Sequence, residues 1–461
     1  MSHLGGNTTQ AESSGGLSPL MIPLVLCAVQ FVDVLGVTVV ITALPSMLAD
    51  LDATTGQGTL AVTAYAACFG GLLMLASRLG DCVGHRRLVL LAMMVFAAAS
   101  VLGALTPSVW VLAMARALQG VAAAASVPSA LRLLTTLVPE GVARRRAVAG
   151  WSAAGAAAGA SGFVIGGGLS ELASWRAVFW MNIIIAAVLI PLILRAIPAD
   201  PRAKQTVTIP WLSAVLLTVA AMSLVGGPTA FTEGGLAPVG FLVVGVGVAT
   251  GIGFRVSDRR ARSPLMPKAA RRSMPLRWGT FGSFANTATT SSTITVATLY
   301  LQQERELSPM EAAGTLVSFS LLVVAGSALA SSLIGAVGWR RSLGLGLTVV
   351  ASGNTMMATW PSVAGIATAA GLCGLGIGIG SVAATDMGTH VEESLKATAA
   401  GLINTAAQLG TAIGTAIILL VSTISSPQHA WITAAVCATL AAITTSLRSD
   451  STLSDDRSGE A

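Results

Sequence analysis

SRLGDCVGHRR, Ser77 to Arg87, separates two long apolar runs and decides how the rest of the chain must be read. It holds one carboxylate, Asp81, then Gly84, then the basic cluster His85, Arg86 and Arg87. So short a polar segment between apolar ones must turn the chain straight back into an apolar phase. Gly84 supplies the permissive backbone angles for such a turn, and the arginines hold it on the cytoplasmic face of a membrane. Asp81 can cap the next helix or pair across to a neighbouring group of helices. The loop is therefore either a positively charged topological marker or a latch between helix groups.

Composition points the same way. Of 461 residues, 54% are hydrophobic and 10% charged, with a mean hydropathy of +0.78. A soluble domain carries about 25% charged residues, so this chain cannot cover itself with a water-facing surface. The 50 glycines are abundant inside the apolar runs, as expected where helix backbones pack closely in lipid. The net charge of +6 is not a nucleic-acid footprint, because the basic residues fall in alternate loops rather than in one patch. Five cysteines (Cys27, Cys68, Cys82, Cys373, Cys437) lie in or beside apolar runs without metal spacing and read as small packing residues. The polar segment 1–19 has no Lys or Arg ahead of the first apolar run, so that run reads as a retained span behind a disordered tail.

With about 20 apolar residues per span as the template, fourteen spans follow. They run 20–45, 58–77, 88–106, 109–137, 148–170, 176–197, 209–228, 236–256, 278–302, 312–335, 343–360, 363–385, 397–421 and 428–447. Charge tests this count independently. Twenty-two of the 26 Lys and Arg fall in loops or tails on one side, eight of them between Arg255 and Arg277. The opposite loops hold Arg176 and Arg305 among acids such as Asp50, Asp52, Glu233, Glu304 and Glu306. The positive-inside rule then places both termini in the cytoplasm, as an even number of spans requires.

An internal repeat organises the spans. LGDCVGHRR (Leu79–Arg87) returns 254 residues later as LIGAVGWRR (Leu333–Arg341), pairing Gly84, Arg86 and Arg87 with Gly338, Arg340 and Arg341. At the same offset LQG (Leu118–Gly120) meets LCG (Leu372–Gly374). Six spans need only about 200 residues, so the offset leaves room for two more helices. The expected fold is an all-α polytopic membrane protein: a six-helix bundle at 20–205, two inserted helices at 206–256, a basic loop at 257–277, a second six-helix bundle at 278–447 and an acidic tail at 448–461.

Charge inside the spans is scarce and therefore readable. Asp33 lies near the middle of span 1, Arg116 and Arg132 within span 4, and Asp386 at the inner end of span 12. A lone charge in hydrocarbon costs several kcal/mol, so such groups face a cavity or one another. Counted from these boundaries, Asp33 is 12 residues and Arg116 7 residues from the outer ends of their spans, which puts them within side-chain reach. A carboxylate held between the cost of burial and the pull of an arginine can load and release a proton; a static pair that merely orients two helices is the other reading. Arg132 is close enough to the inner end to snorkel, and Asp386 is placed to be solvated.

Several motifs resemble those of the major facilitator superfamily. Leu79, Asp81, Gly84, Arg86 and Arg87 fit its loop signature between helices 2 and 3, with Ser77 where the family usually has Gly. LAMARALQG (Leu112–Gly120) resembles its span 4 motif, whose arginine is linked to proton transfer in proton-coupled exporters. GWSAAGAAAGASGFVIGGGL (Gly150–Leu169) looks like the antiporter motif of span 5: Gly162, Gly166 and Gly167 fit, Phe163 replaces the proline and Ala158 the first glycine. With Gly155 and Gly159 these glycines make a nearly side-chain-free face suited to a helix of the other half. SWRAVFWMN (Ser174–Asn182), GLINTAAQLGTAIG (Gly401–Gly414) and FVDVLGVTVVITALPSML (Phe31–Leu48) are similar to the fourteen-span drug:proton antiporter branch. In the last, Gly36 stands at the usual aspartate position and Asp33 almost one turn earlier.

The resemblance implies two six-helix halves related about the membrane normal, as in such transporters, plus the two inserted helices. It implies export of a drug-like or secondary-metabolite amphipath in exchange for protons, Asp33 and Arg116 coupling and the two glycine–arginine loops gating. No G-x-x-x-x-G-K-[ST] loop and no H-E-x-x-H spacing is present, so the expected driver is the proton gradient, with no cofactor, metal or nucleic acid and with the lipid bilayer as the surrounding partner. The chain is expected to be a monomeric, non-enzymatic carrier of a bacterial plasma membrane. Uptake of a small nutrient by proton symport, or a non-transporting sensor or partner protein, are the competing functions.

Overall fold

A computed structural model describes residues 21–200, 209–232 and 237–446. The 1–19 and 448–461 tails, Lys204 and Glu233 lie outside the described residues. Within them the regular structure is helical throughout. The first half comprises α1 (Met21–Asp50), α2 (Thr55–Val83), α3 (His85–Ala104), α4 (Val109–Leu137), α5 (Val142–Leu172) and α6 (Arg176–Ala196). Then come α7 (Trp211–Thr232), α8 (Ala237–Arg260) and the five-residue α9 (Lys268–Arg272). The second half comprises α10 (Met274–Leu299), α11 (Pro309–Val337), α12 (Trp339–Thr359), α13 (Val363–Gly388), α14 (Glu393–Ile424) and α15 (Pro427–Ser446).

Several helices outrun the apolar runs that announce them, because polar caps start them beyond the hydrocarbon. Thr54 and Gln57 form a reciprocal capping box at α2, and Ser308 and Glu311 another at α11. Twelve of the described helices are long and apolar enough to cross a membrane. α10 and α12 are long enough but fall outside that count on composition. The middle of α10 reads NTATTSSTIT (Asn286–Thr295), and α12 opens on Trp339, Arg340 and Arg341. The α10 hydroxyls turn back onto their own helix, Thr289 Oγ1 donating to Ala285 O (2.8 Å) and Thr293 Oγ1 to Thr289 O (2.7 Å). Their polarity is thereby satisfied inside the bundle.

The two halves pack by one pattern. In the first, α2 and α3 pack on α4, α3 on α6, and α1 on α5; in the second, α11 and α12 pack on α13, α12 on α15, and α10 on α14. Between the halves α2 meets α14 and α5 meets α11, again equivalent pairs. α7 lies across α2 and α14, where Gly71 is needed for close approach: a Cβ there would come 2.7 Å from Thr218 Oγ1. α8 packs on α7 and is mostly exposed.

One apolar core joins the two halves at the end where α1 stops, including Leu44, Met47 and Leu48 with Leu299, Leu301, Leu316 and Ile418. Polar contacts close the same end: Gln302 Nε2 donates to Thr42 O (3.0 Å), and Met310 N to Glu171 Oε2 (3.0 Å).

Candidate functional site

The first half contains a chain of buried polar groups that links α1, α2, α3 and α4. Asp33 is 1% exposed, and its Oδ2 accepts the Ser126 hydroxyl of α4 at 2.6 Å. Its Oδ1 is buried and has no partner among the described residues. The Tyr65 hydroxyl of α2 donates to the main-chain oxygen of Asp33 at 2.8 Å. Over that ring lies Arg116, its guanidinium carbon 4.6 Å from the ring centre. Arg116 is also 1% exposed; its Nε donates to Ala61 O (3.2 Å) and Nη1 to Gln119 Oε1 (2.8 Å). Gln119 Nε2 in turn donates to Ser100 Oγ of α3 at 2.9 Å.

Asp33 and Arg116 are thus both buried, yet no ion pair joins them: the expected direct pair is replaced by a Tyr65 bridge. Helix length is the reason. α1 continues to Asp50 rather than stopping near 45, so Asp33 is 17 residues from its C-terminal end while Arg116 is 7 from the start of α4. At 1.5 Å per residue their depths differ by about 15 Å. Ser126, ten residues beyond Arg116, is the α4 residue level with Asp33. Tyr65 and Ser126 carry no charge at neutral pH and leave no signal in a scan for intramembrane charge; Gln119 was visible as the glutamine of LAMARALQG.

The two repeated loops share their backbone. Gly84 joins α2 to α3 at φ +103°, and Gly338 joins α11 to α12 at φ +85°, angles that favour glycine. At Gly84 a Cβ would also overlap the Asp200 carboxylate. Asp200 caps α3, accepting from the main-chain N–H of Arg86 (3.1 Å) and Arg87 (2.9 Å). The expected role of Asp81 as cap or cross-bundle partner is therefore corrected. Asp81 contacts His85 one turn away at 3.2 Å, and the cap comes from the segment after α6. Arg86 donates to Leu194 O (2.7 Å), tying α3 to α6. In the second loop Trp339 Nε1 donates to Asp386 Oδ2 (2.7 Å), and Arg340 lies over Trp278, 4.9 Å from the ring centre. Arg341 lies beside it at the start of α12. The tie from the first half to the central loop is Arg78, which donates to Ser263 O and Oγ (both 2.8 Å) and to Pro264 O.

The glycine face of α5 also differs from expectation. Gly162 and Gly166 pack on α1 of the same half, where a Cβ would overlap Thr38 and Thr42; Gly155 faces Gln30 of α1. Gly167 packs on the other half, with a Cβ 2.6 Å from Pro309 O of α11. At Gly159 the Cβ direction is open, while its carbonyl accepts from Ser320 of α11 (3.2 Å). α5 is wedged between α1 and α11, so its small residues serve two contacts, one within the half and one between halves.

A multi-pass helical protein with two equivalently packed six-helix groups, an added hairpin and a buried acid in the first group belongs to the solute carriers. The family model for the Major Facilitator Superfamily matches residues 26–415 and 279–460, and the chain belongs to that superfamily. It is 31% identical over 419 residues to the puromycin resistance protein of Streptomyces alboniger, covering 87% of this chain and 81% of that one. It is 31% identical over 409 residues to the cephamycin export protein of Amycolatopsis lactamdurans, covering 86% and 83%. The fold is similar to that of a POT family transporter crystallised with 5-aminolevulinic acid, with TM-score 0.70 and 12% identity over 92% of this chain and 94% of that one.

Proposed function

We propose that this transporter exports a drug-like amphipathic molecule in exchange for protons, through fourteen spans with both termini in the cytoplasm. The observation that carries the coupling is Asp33: a buried carboxyl group in mid-helix, hydrogen-bonded to Ser126 and, among the described residues, without an ion-pair partner. A carboxyl without an ion-pair partner can change protonation without breaking one, and intramembrane carboxyls mark proton relays. The Asp33 carboxyl touches α4 directly through Ser126, while Tyr65 of α2, bonded to the Asp33 main chain and lying under Arg116, fixes α1, α2 and α4 around it. The closed end, at Thr42 and Gln302, is the outer one in this topology. The loops at Gly84 and Gly338, with Arg86, Arg87, Arg340 and Arg341, hold the inner ends of each half, and Arg78 latches the first half to the central loop.

Relatives named for puromycin resistance and cephamycin export support efflux over uptake. The test is transport of puromycin and a panel of lipophilic drugs by proteoliposomes with an imposed pH gradient. Drug moving uphill against the proton flow is expected; drug moving in the same direction as protons would make the carrier a symporter.

A further inference from the structure

A cavity of about 740 Å³ lies between the inserted hairpin and the second half, away from the Asp33 network. It is built as an amphipathic groove. At its mouth converge Arg255 and Arg259 from the last turns of α8, Arg271 from α9 and Arg277 from the first turn of α10. Its floor is apolar: Phe254, Phe281, Phe284, Leu402 and Leu409. From Arg277 to Phe284 is seven residues, about 10 Å along α10. The groove therefore runs from the level of the helix ends into the hydrocarbon.

Positive charge is in excess at the mouth, four arginines against one acid. The side chains of Arg255, Arg259 and Arg271 form no ion pair or hydrogen bond among the described residues, and the polar side-chain contact of Arg277 is to Met274 Sδ at 3.4 Å. Asp258 is the one acid in the lining, and both its oxygens are occupied by the main-chain N–H groups of Leu265 (2.6 Å) and Met266 (3.1 Å). That cap folds the 261–267 segment back and so holds Arg271 near α8. Four guanidinium groups above an apolar slot complement an anionic head group carrying acyl chains, and arginine binds phosphate oxygens in bidentate geometry.

We infer that this groove binds an anionic phospholipid of the cytoplasmic leaflet, its phosphate held by Arg255, Arg259, Arg271 and Arg277 and an acyl chain between α8, α10 and α14. The inference rests on the topology proposed above for its leaflet. The lipid would wedge the hairpin against α14, the helix that meets α2 across the two halves.

The test uses the full chain in phosphatidylcholine nanodiscs doped with spin-labelled phosphatidylglycerol or spin-labelled phosphatidylcholine, reading the motionally restricted fraction by electron paramagnetic resonance. Both leaflets are present and no flux is required, so the result is independent of transport and orientation. Phosphatidylglycerol should be preferred at least about tenfold at one site per chain. Arg255→Gln with Arg271→Gln should cut that preference at least about tenfold, since each basic residue near an anionic surface contributes about fivefold. Thr280→Trp, which fills the slot without altering charge, should remove the restricted lipid. Arg145→Gln with Arg146→Gln, on the same membrane face but away from the groove, should leave the preference intact. The inference is overturned by an unselective native protein, by selectivity that survives the Arg255/Arg271 change, or by equal loss in the Arg145/Arg146 variant. Displacement of the lipid by excess inorganic phosphate would overturn it too, assigning the arginines to a free anion.

Discussion

Replacing Asp33 by Asn removes the ionisable proton and little else. The Asn carbonyl oxygen takes the Ser126 hydroxyl in place of Oδ2, and the Tyr65 bond is unaffected because it goes to the main chain. The amide NH2 falls where Oδ1 is buried without a partner, at a cost of about 1–3 kcal/mol for an unsatisfied donor. Arg116 loses nothing, since its partners are Ala61, Gln119 and the Tyr65 face. A direct buried ion pair would behave differently: losing one member costs about 3–5 kcal/mol and removing the second restores much of it. Thermal unfolding of purified Asp33→Asn, Arg116→Gln and the double variant separates the two. The two effects should add to within about 1 kcal/mol, because Asp33 and Arg116 share no direct contact and are linked through Tyr65 and the α4 backbone. In proteoliposomes Asp33→Asn should still exchange labelled for unlabelled drug at equal concentrations but fail to concentrate it with a pH gradient. Rescue of stability in the double variant would refute the bridged geometry, and well-folded Asp33→Asn that still pumps uphill would refute the coupling role.

Gly84→Ala should lower the unfolding temperature more than Gly141→Ala. Both residues have positive φ, worth about 1–2 kcal/mol for a Cβ, but only at Gly84 does the Cβ also meet the Asp200 carboxylate. Asp200→Ala should cost about 1 kcal/mol by uncapping α3, measured the same way, with Asp81→Ala costing less. Gly166→Val should abolish folded protein by forcing α5 off α1, whereas Gly159→Ala should be tolerated, both scored by monodisperse yield. Arg78→Ala should raise protease cleavage within 261–267, because three of its contacts hold that segment.

Much of the fold was legible because lipid imposes simple rules. Apolar length marks where α1 to α8 lie, and the 254-residue offset pairs Gly84 with Gly338, two glycines that share a positive φ. What apolar length does not mark is where a helix ends. α1 runs five residues past its expected stop, and that shift takes the depth difference between Asp33 and Arg116 from about 7.5 Å to about 15 Å. α10 illustrates the opposite limit. Its hydroxyls make it look polar by hydropathy, although each bonds back into the bundle. At the candidate site the charged residues and Gln119 were legible, and Tyr65 and Ser126 were not. Tyr65 and Ser126 come from other helices, and only the packed bundle brings them to Asp33. The α3 cap was hidden for a similar reason, since Asp200 lies far along the chain from the loop it completes. For α5 the glycines announce close packing, but composition is silent on whether α1 or α11 fills the space.

Proton-for-drug exchange is tested most directly by watching the proton itself. Native protein is reconstituted in liposomes that hold a trapped pH dye and start with no pH gradient, and puromycin is added on one side only. The account predicts that drug entry drives protons out, so the lumen turns alkaline at a rate that follows drug concentration, and that Asp33→Asn protein gives drug entry with no change in lumenal pH. Drug entry through native protein that leaves the pH still, or that turns the lumen acidic as drug and proton enter together, would contradict it.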